Sequence, residues 1–156
     1  SEGLAVSGRG NNAWNAYVAS LNIMNAKILF SKSSLLVSKL FEPGTDGNRK
    51  SLEKHHLFPK AYLRSQGYKD SMINQMANYA FIDWKDNMDI LDDAPSVYYP
   101  IVCAGRSEEE IIQMEKENAL PHGWENMKYE DFLVERRKMM AARIKEAFEI
   151  LRKNAE

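Results

Sequence analysis

From Asn12 to Phe30 the apolar residues Trp14, Tyr17, Val18, Leu21, Met24, Ile28 and Leu29 recur at steps of three and four, which predicts an amphipathic helix over the stretch. SKSSLLVSKLF resumes helical character, with Ser31, Ser33 and Ser34 as N-cap candidates for a shorter second helix. EPGTDGN, residues 42–48, concentrates turn-forming residues and predicts a loop. Lys60 to Gly67 reads as a short helical turn, opened after Pro59 and closed by Gly67. Tyr79 to Ile82 is short, aromatic and β-branched, so it predicts a strand able to pair with one leading into His55.

Further on, Asp83 is placed to cap a turn carrying Asn87, and Asp92 or Asp93 ahead of Ala94 and Pro95 predicts a short helix stopped before Pro100. Ser107 with Glu110 three residues later matches a capping box, with acidic residues in the first turn and Pro121 beyond the end. The longest helix is expected from about Tyr129 to Lys153. Phe132, Met139, Met140, Ile144, Ala147, Phe148 and Leu151 lie on or near its apolar face, with Arg136, Arg137, Lys138, Arg143 and Lys145 on the remainder. These elements predict one helix-rich α+β domain: a helical cover over 12–41, a hairpin core over 50–100 and C-terminal helices over 107–154.

Composition changes this picture little. The 156 residues are 44 % apolar and 28 % charged, ordinary for one soluble domain with a core of its own. Cys103 is the only cysteine, so no internal disulfide or Cys-rich zinc module is available, and a reducing, cytoplasmic setting is expected. No apolar run reaches the roughly 20 residues that span a bilayer, so no membrane partner is expected. SEGLAVSGRG lacks the regions of a signal peptide and an initiator methionine, which reads as the start of a fragment of a longer protein. A net charge of −1 argues against a generic basic nucleic-acid binder but leaves local phosphate contacts open.

The chemistry concentrates in residues 53–95. On an extended segment His55 and His56 point to opposite faces, so one can face a metal while the other faces a substrate. That division suits phosphodiester hydrolysis, in which a metal stabilises the leaving oxygen and a neutral imidazole takes a proton from attacking water. His56 is the candidate base, His55 a metal ligand, and the side-chain carbonyl of Asn87 the second ligand. Lys60 and Arg64, four apart on one face beside the histidines, are candidates for gripping DNA phosphates, as is Lys85. Arg49 and Lys50 are weaker ones, since exposed basic residues after a loop are usually only solvated. Cys103 and His122 read as a buried thiol and a loop histidine.

HHLFPKAYL, the asparagines Asn78 and Asn87 and the following DDAP resemble the HNH, or ββα-metal, nuclease motif in a version whose last histidine is asparagine. The layout is also similar to the HNH domain of CRISPR effector nucleases. More closely, HHLFPKAYL, ANYAFIDWKDN and DDAPSVYY resemble the C-terminal nuclease domain of GmrSD-like modification-dependent restriction proteins, and NIMNAKILFS and EPGTDGNRKSLE extend the likeness. The resemblance implies His56 as base, His55 and Asn87 at the metal positions, and Asn78 in a structural position, tying the two halves of the site together by hydrogen bonds. The first motif position, often acidic in the family, is His55 here. One divalent ion is implied, Mg, Mn, Ni, Co or Zn, and an imidazole ligand favours the last four over Mg.

The function expected is therefore a metal-dependent endonuclease acting on DNA in restriction or anti-phage defence, with a nucleotide-dependent regulatory domain N-terminal to it. One ββα site cuts one strand, so a double-strand break calls for a homodimer or two successive events. The rival readings are a DNA- or partner-binding module that keeps the fold without cleaving, and a purely structural helical domain.

Overall fold

A computed structural model describes residues 12–31, 36–41, 54–83 and 92–156. The expected loop at 42–48, Arg49, Lys50, Lys85 and Asn87 lie outside the described residues. The architecture is α+β and rich in helix, with one small antiparallel sheet among the described residues. No helix among the described residues is long and apolar enough to cross a membrane.

The first helix, α1 (Asn12–Ile23), buries Trp14, Tyr17 and Leu21 but stops well short of the Phe30 that its periodicity predicts. Asn25 adopts a left-handed φ of 53°, and the Ala26 amide bonds the Leu21 carbonyl at 2.9 Å while the Asn25 amide bonds that of Asn22 at 3.3 Å. This paired closure ends a helix by satisfying its last carbonyls, and asparagine tolerates the left-handed conformation it needs. Beyond it the chain runs extended. The Leu29 amide bonds the Phe81 carbonyl at 3.0 Å and the Leu29 carbonyl accepts from Asp83 at 2.9 Å, so Leu29 sits beside the sheet rather than in a helix. The second expected helix is reduced, among described residues, to a 3-10 turn at Val37–Phe41.

The sheet has two strands, β1 (Lys54–His56) and β2 (Tyr79–Phe81), paired antiparallel with Lys54 opposite Phe81, His55 opposite Ala80 and His56 opposite Tyr79. Between them run α2 (Lys60–Ser65), α3 (Asp70–Ile73) and a 3-10 turn at Met76–Asn78. Gly67, just past α2, has φ of +89°, the left-handed conformation in which glycine carries no Cβ penalty.

After the sheet come α4 (Pro95–Cys103), α5 (Glu108–Glu117), a 3-10 turn at Trp124–Asn126 and α6 (Tyr129–Asn154). Two expectations for α4 are corrected. Its N-cap is Ala94, with no side-chain cap, so neither Asp92 nor Asp93 serves, and Pro100 lies inside the helix rather than after it. The amide that Pro100 lacks would have bonded the Ser96 carbonyl, and both residues are on the exposed side of the helix, where a missing intrahelical bond costs least. The Ser107 cap holds: its hydroxyl oxygen accepts from the Glu110 amide at 3.1 Å.

α6 has the expected span but not the expected division of faces. Phe132, Leu133, Met140 and Ala147 are buried, whereas Phe148 is 70 % exposed. Arg136, expected on the polar side, is buried completely. The core joins α6 to the sheet and α4 through rings: Phe58 lies 4.7 Å from Phe132, and Trp124 lies 5.5 Å from Phe132 and 5.0 Å from Tyr99, centroid to centroid.

Candidate functional site

β1 is too short to fix His56 by itself, and the structure braces its exit from three directions. The Leu57 amide bonds the Asn78 carbonyl at 2.7 Å. The Asn78 side chain, with no exposed surface, accepts from the Phe58 amide at 2.8 Å and donates to the carbonyls of Phe58 at 3.1 Å and Ile73 at 3.0 Å. The Tyr98 hydroxyl of α4 donates to the Leu57 carbonyl. Asn78 thus spends both ends of its amide on the backbone that follows the histidines. Buried backbone groups need such partners, because an unmade bond there costs about 1–3 kcal/mol.

A further brace comes from α6. Arg136 donates through one terminal nitrogen to the carbonyls of Ala77 at 2.7 Å and Tyr79 at 2.5 Å, and through the other to Asn118 at 3.3 Å. Its guanidinium carbon also lies 5.9 Å from the centroid of the Tyr17 ring. Burial lowers its pKa. The neighbouring Arg137 bonds the Gln75 side chain at 3.1 Å, so consecutive arginines grip the turn that delivers Asn78 and Tyr79.

The pairing of the strands puts Lys54, His56, Tyr79 and Phe81 on one face and His55 with the buried Ala80 on the other. His56 lies against Tyr79, ring centroids 4.7 Å apart. The Lys54 ammonium stands 4.3 Å from the Tyr79 centroid and 5.1 Å from that of Trp14, within the range of cation–π attraction. His56 Nε2 lies 2.9 Å from Asn74 Oδ1, which also accepts from the Tyr79 hydroxyl at 3.3 Å. An amide oxygen only accepts, so Nε2 carries the proton and Nδ1 is left with the lone pair. Burial lowers the pKa of His56; the bond to Asn74 works the other way, and Lys60 and Lys54 add to the lowering. The neutral form of the ring is therefore favoured, with Nδ1 able to accept a proton.

The remaining predicted residues divide. Lys60 stands close enough to His56 to affect its titration. Arg64, on the next turn of the same face, is turned to Asp70, which its guanidinium meets at 3.2 and 3.3 Å. Both partners are more than half exposed, and such pairs are worth about 0–1 kcal/mol. A phosphate competes readily with such a partner. His55 presents its imidazole on the opposite face, with Nε2 withdrawn from solvent. It offers one nitrogen donor for a metal, and no group of three or more His, Cys, Asp or Glu stands together among the described residues. Cys103 is half-buried, and the loop histidine His122 bonds the buried carboxylate of Glu115 at 3.0 Å.

Asn74, Lys54, Tyr79 and Arg136 were not singled out from sequence for this site. The hairpin register would have found Tyr79, since it stands opposite His56. Asn74 carries no signal beyond that of an ordinary turn residue. No family model, curated protein or solved structure matches the chain.

Proposed function

We propose that the chain is a metal-dependent HNH-type endonuclease domain that hydrolyses DNA phosphodiester bonds, in the setting of restriction or anti-phage defence. The observation that carries this reading is His56: neutral, held by Asn74 through Nε2, and flanked by Lys54 and Lys60. An imidazole in that state accepts a proton from water through Nδ1, and general-base catalysis of this kind contributes about 10²- to 10⁴-fold. The two lysines attract the phosphate to the same face and oppose protonation of the base. Asn78 keeps the backbone after His56 in one geometry, so the ring does not drift from the attacking water. The ligands we assign are His55 and Asn87, and a divalent ion bound there would supply stabilisation of charge on the departing 3′ oxygen.

Incubation of the protein with supercoiled plasmid and each of Mg, Mn, Ni, Co and Zn tests the reading, beside His56→Ala and Asn87→Ala. Nicking that needs an ion and disappears in both variants is the expected result. Folded protein that nicks with none of the ions, or His56→Ala that nicks as fast as the parent, would overturn it. The second reading, a non-cleaving DNA-binding module, is supported by the neutral donors His55 and Asn87, which leave a bound ion's charge uncompensated by the protein. Plasmid binding without nicking or ion uptake would favour it.

A further inference from the structure

α2 has a second face. On a helix Lys60 and Arg64 share one side, and Tyr62, Leu63 and Gln66 project from the other. This second side opens on a cleft of about 600 Å3 between α2, the turn that follows it and the start of α6. The volume falls in the range of small-molecule sites, roughly 300–1,000 Å3.

The floor is aromatic and fixed. Phe58 and Tyr129 are buried with ring centroids 5.2 Å apart, and the Tyr129 hydroxyl donates to the Met72 carbonyl at 2.6 Å. The half-buried Tyr62 and Tyr68 also line the cleft, and Tyr68 meets Tyr129 edge-on at 5.2 Å. The Tyr68 hydroxyl donates to Glu130 at 2.7 Å, so this ring too is pinned before any ligand arrives. Gln66, Asn126 and Asp131 add exposed hydrogen-bonding groups at the rim.

Charge narrows the ligand. Glu130 and Asp131 are opposed by Lys128 and by the positive end of the α6 dipole, so neither a strong anion nor a strong cation is selected. What fits is a flat, neutral group with an apolar face and a hydrogen-bonding edge. We infer that the cleft receives one unstacked nucleobase of a nucleic-acid strand, a proposal whose choice of nucleic acid rests on the nuclease reading. The base stacks on a tyrosine ring, side-chain amides meet its edge and a carboxylate accepts from an exocyclic amino group, the means by which unstacked bases are generally recognised.

The test uses the full chain carrying His56→Ala, without added metal, so that binding is read apart from cleavage. The probes are a short single-stranded oligodeoxynucleotide, the same backbone with every base removed, and free deoxynucleosides. The oligonucleotide should shift the NMR signals of Tyr62 and Tyr68 and bind more tightly than the abasic strand. Tyr62→Ala should weaken it by about five- to a hundred-fold, the worth of one base–aromatic stack, whereas Tyr62→Trp, which keeps a stacking surface, should bind like the parent. Equal affinity for the abasic strand, unmoved tyrosine signals, or Tyr62→Ala that folds and binds unchanged would each overturn the proposal. Free nucleosides that bind as tightly as the oligonucleotide would overturn the strand as ligand and assign a free nucleoside instead. Plasmid nicking by the parent protein decides catalysis separately: base-dependent binding without nicking removes the nuclease reading and keeps the cleft, and nicking with base-independent binding does the reverse.

Discussion

Asn74 Oδ1 lies 2.9 Å from His56 Nε2, and this contact decides which nitrogen of the ring is free to work. A side-chain amide does for His56 what a backbone carbonyl does for many functional histidines. It fixes tautomer and orientation without adding charge; burial holds the pKa below the ordinary 6.5, although the bond itself pulls upward.

Removing that contact should therefore affect turnover more than binding. Asn74→Ala should lower kcat for plasmid nicking by about ten-fold or more with little change in KM, because Asn74 positions the base and leaves the phosphate alone. Asn74→Asp should move the acid limb of the pH–rate profile upward by about one pH unit or more, since a carboxylate favours the imidazolium. In the parent, burial of His56 should put that limb on the acid side of the ordinary imidazole value. An unmoved limb in Asn74→Asp would show that His56 is not the titrating base.

Asn78→Ala is expected to act on stability. It strips the side-chain partners from the buried Phe58 amide and carbonyl, while the Ile73 carbonyl keeps the Tyr129 hydroxyl at 3.3 Å. At about 1–3 kcal/mol for each unsatisfied group, the loss should be about 2 kcal/mol or more, read from urea midpoints at constant slope. A loss below about 1 kcal/mol would mean that water replaces the amide at no cost.

Arg136→Met removes a donor from the carbonyls of Ala77 and Tyr79, and one of two from that of Asn118, while keeping most of the apolar stem, and should also cost about 2 kcal/mol or more. Arg136→Lys should recover part of it, since an ammonium cannot span the same fork of acceptors. Equal stability of the Met variant would show that the bonds only offset the desolvation of the guanidinium.

The two described histidines with resolved shifts pull stability in opposite directions. His56 has a folded pKa below 6.5, so its contribution is complete above that value and declines as pH falls through 6.5 toward the folded value. His122 is raised by its bond to Glu115, so its contribution is complete below 6.5 and disappears as pH rises through the folded value. His122→Gln should accordingly lose most relative to the parent on the acid side of neutrality and little near pH 8, in urea titrations at matched ionic strength. A larger loss on the alkaline side would contradict the pairing.

Much of the hairpin was legible because its signals are local. Tyr79 to Ile82 reads as a strand from residue type, and Pro59 and Gly67 bracket α2. What was not legible depends on tertiary context. Periodicity carried α1 through to Phe30, since the left-handed turn at Asn25 interrupts the helix without interrupting the spacing of apolar residues. The same averaging put Arg136 on the polar face, because only the arrival of three carbonyls from other segments makes burial of a guanidinium tolerable there. Phe148 fits the apolar stripe yet has no described core left to face. Asn74 acts across the hairpin, at a distance that no sequence window spans.

The grip of Arg136 on Ala77 and Tyr79 also sets an order of events. The hairpin leaves the ribosome long before α6 does, and until that helix docks the turn bearing Asn78 lacks its deepest anchor. Any chemistry carried by His56 is therefore armed late: a half-made chain has the histidines but not the frame that aims them.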